Sequence, residues 1–143
     1  MRQQRSTNGT SFEISGENNL PAVILIHGLG LSKDMWKEFI PNLLKSYKVI
    51  TFDLFGHGKS DPLDATPDLD LFVNQILELL LYLNIKKVHL IGFSIGGMIN
   101  RKFAVNYPSK VLSLIILNSP HKRDKELQKI VEKRAKLVFS EGA

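Results

Sequence analysis

The chain has 143 residues, 43% hydrophobic and 23% charged, a composition that fits one globular domain and excludes a disordered polypeptide. With no cysteine it can form no disulfide, thiolate zinc site or cysteine nucleophile. The net charge of +5 is concentrated in the last two dozen residues, KRDKELQKIVEKRAKLVFSEGA; acids interleave the bases there, the pattern of a solvated helix face and not of a nucleic-acid or membrane-binding tail.

The N-terminal MRQQRSTNGT has basic residues but no apolar core behind them, so no signal peptide is expected. No apolar run reaches the length of a membrane span, and a cytoplasmic location is the default expectation. Asn8-Gly9 predicts a hairpin turn into a short strand, TSFEIS. LPAVILIHG (20–28) is a nearly continuous apolar run, typical of a strand buried on both faces. Lys33 to Leu44 has helical spacing of Trp36, Phe39, Ile40, Leu43 and Leu44, and KVITFD (48–53) is a second buried strand. KSDPLDATPDLD is loop, and Leu69 to Leu83 a strongly apolar helix. KKVHLIGFS (86–94) is a third buried strand, Ile95 to Tyr107 a helix stopped by Pro108, and VLSLIILNS (111–119) a fourth strand. An amphipathic tail helix with a stripe of Leu127, Ile130, Val131, Leu137 and Val138 follows. Wholly apolar strands alternating with helices predict an α/β fold, a mostly parallel sheet with helices on both faces. Ligands of such sheets bind at the strand C-terminal edge, where HGLGLS, DLFGHGKS and GFSIGG arrive.

Gly58-Lys59-Ser60 ends like a phosphate-binding P-loop, but that pattern requires glycine where the chain has Asp53, a carboxylate that would repel phosphates. HGLGLSK similarly fails the dinucleotide fingerprint, because its third glycine position holds Lys33. GFSIG satisfies G-x-S-x-G in the required context, after a buried strand and before a helix. The motif makes a tight turn that holds Ser94 strained and exposed, with a helix N-terminus behind it. Ser94 is therefore the expected catalytic nucleophile. The backbone N–H groups of Ile95, next to it, and of Leu29, after His27-Gly28, are the expected oxyanion-hole donors.

Together, HGLGLSKDMW, FDLFGHGKSD, GFSIGGMI and FAVNYPSKVLSLIILN occur in the order found in α/β-hydrolases, and the chain resembles the N-terminal, nucleophile-bearing part of that family. The tail, with Arg134 and SEGA, also resembles the start of the cap in small esterases related to 3-oxoadipate enol-lactonase. The resemblance implies a hydrolase core over 1–119 and, over 120–143, an amphipathic helix that begins a cap region or is a truncated end. DLFGHGKS is similar to the family's structural turn, which makes His57 structural. The implied activity is hydrolysis of small carboxylic esters, lactones or related acyl compounds through an acyl-enzyme, with no cofactor and no metal. The family's triad runs Ser, then Asp or Glu, then His. Here His27, His57 and His89 precede Ser94, and His121 and Asp124 follow in reversed order on the tail, so the acid and histidine are expected beyond Ala143 and the chain alone is expected to be inactive. The apolar edge that VLSLIIL would present supports the same expectation of a sheet incomplete at its C-terminal side. A non-catalytic binding protein of hydrolase ancestry is the alternative, opposed by the intact GFSIG.

Overall fold

The computed structural model describes residues 2–119 and 125–141. Six strands, β1 (Gln3–Arg5), β2 (Ser11–Ser15), β3 (Ala22–Ile26), β4 (Lys48–Phe52), β5 (Val88–Phe93) and β6 (Val111–Leu117), form one sheet in the order β1-β2-β4-β3-β5-β6. β3 lies parallel between β4 and β5, and β6 extends the parallel run beyond β5. The N-terminal hairpin adds two antiparallel strands, with Phe12 opposite Phe52.

Alternate residues of the apolar strands serve the two faces. Ile24, Ile26, Ile50, Phe52 and Leu90 face one core with Phe72, Ile76 and Leu79 of α2 (Leu69–Tyr82) and Ile99 and Phe103 of α3 (Ile95–Asn106). Val23, Leu25 and Val49 face a smaller core closed by Trp36 and Ile40. This is why β3 reads as five consecutive apolar residues, all buried.

The ends of α2 follow from local chemistry. Asp68 caps it by accepting the Leu71 N–H at 3.0 Å. At its other end Asn84 adopts φ 55°, while Ile85 N–H reaches Leu80 O and Asn84 N–H reaches Leu81 O, a Schellman stop built on asparagine. The continuous helix expected over Lys33–Leu44 is instead a 3₁₀ turn (Lys33–Trp36) followed by a short helix, α1 (Ile40–Leu43). Pro41 explains the break: inside a longer helix it would lose an N–H bond and press its ring on the Lys37 carbonyl, whereas it is tolerated in a first turn.

The tail forms α4 (Lys125–Glu141). Its apolar stripe divides. Phe139 and Val138 meet the site loops, Val131 faces the cavity described below, and Ile130 and Leu137 are exposed. Among the described residues β6 pairs with β5 alone, and Leu112, Ile115 and Leu117 are 39–47% exposed. No helix among the described residues is long and apolar enough to cross a membrane.

Candidate active site

Ser94 stands where β5 ends and α3 begins, with φ 56° and ψ −118°, a conformation that costs a non-glycine residue free energy and persists only where the surroundings enforce it. The enforcement is visible. Ser94 N–H donates to Leu117 O of β6 at 3.0 Å, and Gly97 N–H returns to Ser94 O at 2.9 Å. A Cβ on Gly92 would strike Gly96 O and sit 2.5 Å from Asn100 Nδ2; one on Gly96 would strike Ile26 O and lie 2.9 Å from His27 O. The strand, the helix and β3 therefore pass at backbone distance, and only glycine fits two places either side of the serine.

Ser94 opens on a cavity of about 730 Å³. Gly28, Leu29, Leu31, Phe93, Ile95 and Met98 line its core side, and α4 contributes Val131, Arg134 and Ala135. Neither the Leu29 nor the Ile95 N–H has an acceptor among the described residues. Ser94, Leu29 and Ile95 thus border one cavity beside the N-terminus of α3, whose dipole favours electron-rich oxygen.

The two neighbouring loops are tied together by buried polar groups. Asp53 accepts Lys33 N–H at 2.8 Å, the Lys33 ammonium at 3.0 Å and Lys59 N–H at 3.0 Å. Both side chains of that ion pair are almost fully buried. Gln75 accepts Phe55 N–H and donates to the Asp53 carbonyl, so α2 braces the same loop. His27 Nδ1 donates to Gly28 O at 2.7 Å, and its Nε2 accepts Leu54 N–H at 2.9 Å. Burial pushes the pKa of His27 down to about 4, outweighing the Gly28 carbonyl, which favours the charged ring. His57 repeats the pattern: Nδ1 donates to Phe55 O at 3.1 Å and Nε2 accepts Gly30 N–H at 3.0 Å. Burial lowers its pKa as well, against opposing pulls from the Phe55 carbonyl and Asp53.

A family model described as alpha/beta hydrolase fold matches residues 21–140. The chain belongs to the alpha/beta hydrolase family. It is 33% identical over 112 residues to 3-oxoadipate enol-lactonase 1 of Acinetobacter baylyi, covering 78% of this chain and 42% of that protein. To the (E)-2-((N-methylformamido)methylene)succinate hydrolase of the same organism it is 34% identical over 135 residues, covering 94% and 51%. A carboxylesterase structure from the thaumarchaeon Nitrososphaera gargenis matches with a TM-score of 0.82 at 30% identity, over 96% of this chain and 52% of that one. The chain spans about half the length of these hydrolases, or less.

Within this hydrolase fold, Ser94, Leu29 and Ile95, singled out from sequence, meet at one cavity. DLFGHGKS is a run of turns with no helix before Leu69, unlike a P-loop. None of the described histidines lines the Ser94 cavity: His27 and His57 use both ring nitrogens on backbone groups, and His89 meets Ser113 Oγ at 2.6 Å. His121 and Asp124 lie outside the described residues. Among the described residues no cluster of three His, Asp or Glu groups is placed to hold a metal. The sequence reading missed the Lys33–Asp53 pair. The available signal was Asp53 itself, an acid at the end of an apolar strand where burial demands a partner.

Proposed function

We propose that the chain carries the nucleophile-bearing part of a serine hydrolase that cleaves carboxylic esters, lactones or related small acyl compounds. The observation that carries this reading is Ser94 held at φ 56° over a cavity it shares with two unclaimed N–H groups. Ser94 Oγ attacks the acyl carbon, and the carbonyl electron pair moves onto oxygen, where Leu29 and Ile95 N–H stabilise it. Collapse of that intermediate expels the alkoxide and leaves an acyl-serine, which water then cleaves. Residues 1–119 supply the core of this machinery, and α4 begins the cap that shapes the acyl pocket through Val131, Arg134 and Ala135.

The serine proton requires a base, and His27, His57 and His89 are committed elsewhere. The reading assigns base and acid to residues outside those described, and the described residues alone leave the Ser94 hydroxyl a weak nucleophile. The relatives named for a lactonase and for a hydrolase support the acyl class.

A fluorophosphonate probe tests the assignment on the protein at whatever length its reading frame gives. Ser94 takes the label and Ser94→Ala does not. Label retained in Ser94→Ala, or absent from both, overturns the reading.

A further inference from the structure

The turn that presents Leu29 is held from outside by one ring nitrogen. Leu31 N–H closes it onto Gly28 O at 3.1 Å, and Gly30 sits at φ +77°, the left-handed position that a type II turn reserves for glycine. The peptide linking Leu29 to Gly30 points its N–H at His57 Nε2, 3.0 Å away. His57 is 2% exposed, and its Nδ1–H is used on Phe55 O, so the bare nitrogen is the one that faces the turn.

We propose that His57 is a positioning residue: its neutral Nε2 holds the Gly30 N–H, fixes the Gly28–Leu31 turn and so aims the Leu29 N–H, and protonation of the ring releases that turn. The inference rests on the reading of Leu29 as an oxyanion donor. The physical reason is donor against donor. An imidazolium carries hydrogen on both nitrogens, and at this distance the ring and the Gly30 amide would repel, so one of them must rotate away.

The surroundings keep the ring neutral near pH 7. The loop after β3 faces it with Gly30 and, further off, Lys33, whose charge is taken by Asp53. The loop after β4 contributes Asp53 itself, with Lys59 N–H on the same carboxylate oxygen. The His27 ring lies 5.1 Å away, and α4 presents the Phe139 ring edge-on at 6.2 Å. Because folding lowers the pKa of His57, the unfolded chain binds this proton first; stability falls as pH drops below the ordinary histidine value, and the turn opens at lower pH still, where the folded ring itself takes the proton.

Hydrogen exchange by NMR on the 143-residue chain tests this without any catalytic readout. The Gly30 amide exchanges at least about fivefold faster in His57→Leu than in the wild type, the loss expected of one hydrogen bond. In His57→Gln, whose carbonyl can accept the same N–H, most of that protection returns. In the wild type, the Leu29 and Gly30 amide shifts move with the His57 ring titration, which decides the matter even if the leucine variant does not fold. Unchanged Gly30 exchange in a folded His57→Leu, or amide shifts indifferent to the ring titration, overturns the proposal. Fluorophosphonate labelling of the protein at the length its reading frame gives, which under the proposed function includes the base, then separates the two readings. A rate about tenfold lower in His57→Leu links the turn to the oxyanion, as removal of a donor itself would cost about a hundredfold or more. Equal rates with Gly30 released overturn that link. If the wild type takes no label at all, the nucleophile assignment fails, while the exchange data still judge His57.

Discussion

β3 and β6 are written in nearly the same alphabet, AVILI and VLSLIIL, and occupy opposite environments. Every residue of β3 is at most 7% exposed, whereas Leu112, Ile115 and Leu117 of β6 stand 39–47% open. Apolar character records what a strand needs, and its neighbours decide what it receives. β3 has a strand on each side and a core on each face; β6 has one strand partner among the described residues. The chemistry straddles this contrast. The loops after β3 and β4 are clasped by Asp53, His27 and His57, while the strained serine after β5 leans on the carbonyl of Leu117, in the open strand.

The clasped side should be the brittle one. Asp53→Ala leaves the Lys33 ammonium buried without a partner and is expected to cost about 3–5 kcal/mol, a large share of the roughly 5–15 kcal/mol that stabilises a domain. Urea denaturation reads this directly. A loss under about 1 kcal/mol would mean that the ammonium reaches water and that the clasp is not dry.

A matched pair sharpens the comparison of the two strands themselves. Ile24→Ala in β3 should cost about 2–5 kcal/mol through lost burial and the cavity left behind, and Ile115→Ala in β6 less than about 1 kcal/mol. Equal losses in the two denaturation curves would show that β6 is covered in solution.

A small effect of opposite sign lies at the elbow. Ser94→Gly should stabilise the fold by about 1 kcal/mol, because glycine enters this backbone region without the serine's strain, while fluorophosphonate labelling disappears. A lower midpoint for the glycine variant would show that the hydroxyl side chain holds the turn more than it strains it.

Much of this architecture is legible in the sequence. AVILI, KVITF, VHLIGF and VLSLIIL announce the parallel strands by apolar runs with few polar interruptions, although only in AVILI is every residue buried. GFSIG is legible for a related reason: three backbones passing this closely forbid a Cβ at Gly92 and Gly96, and that prohibition is written as two glycines. What the sequence conceals is set by distant partners. Gln3–Arg5 has no apolar residue and becomes a strand only because β2 offers it an edge, an arrangement in which Arg5 also reaches Asp61. Lys33 reads as a surface lysine until Asp53 arrives from 20 positions away. His57 reads as part of a turn, and its hold on Gly30 depends on a fold that brings two loops to one corner. The helix expected through Trp36 and Phe39 failed for a reason already present, since Pro41 forbids a continuous run.

The position of β3 also bears on how the protein is made. Its two flanking strands, β4 and β5, both follow it along the chain, so a ribosome releases AVILI long before either can pair with it. At roughly 5–20 residues per second, this wholly apolar segment remains without its second neighbour for several seconds, until Phe93 has emerged. The hairpin of β1 and β2 waits for β4 in the same way, because among the described residues it joins the sheet through the pairing of β2 with β4, from Phe12 opposite Phe52 to Ser15 opposite Val49. A central strand that precedes both of its neighbours places the burden of correct assembly on whatever shields the nascent chain during that interval.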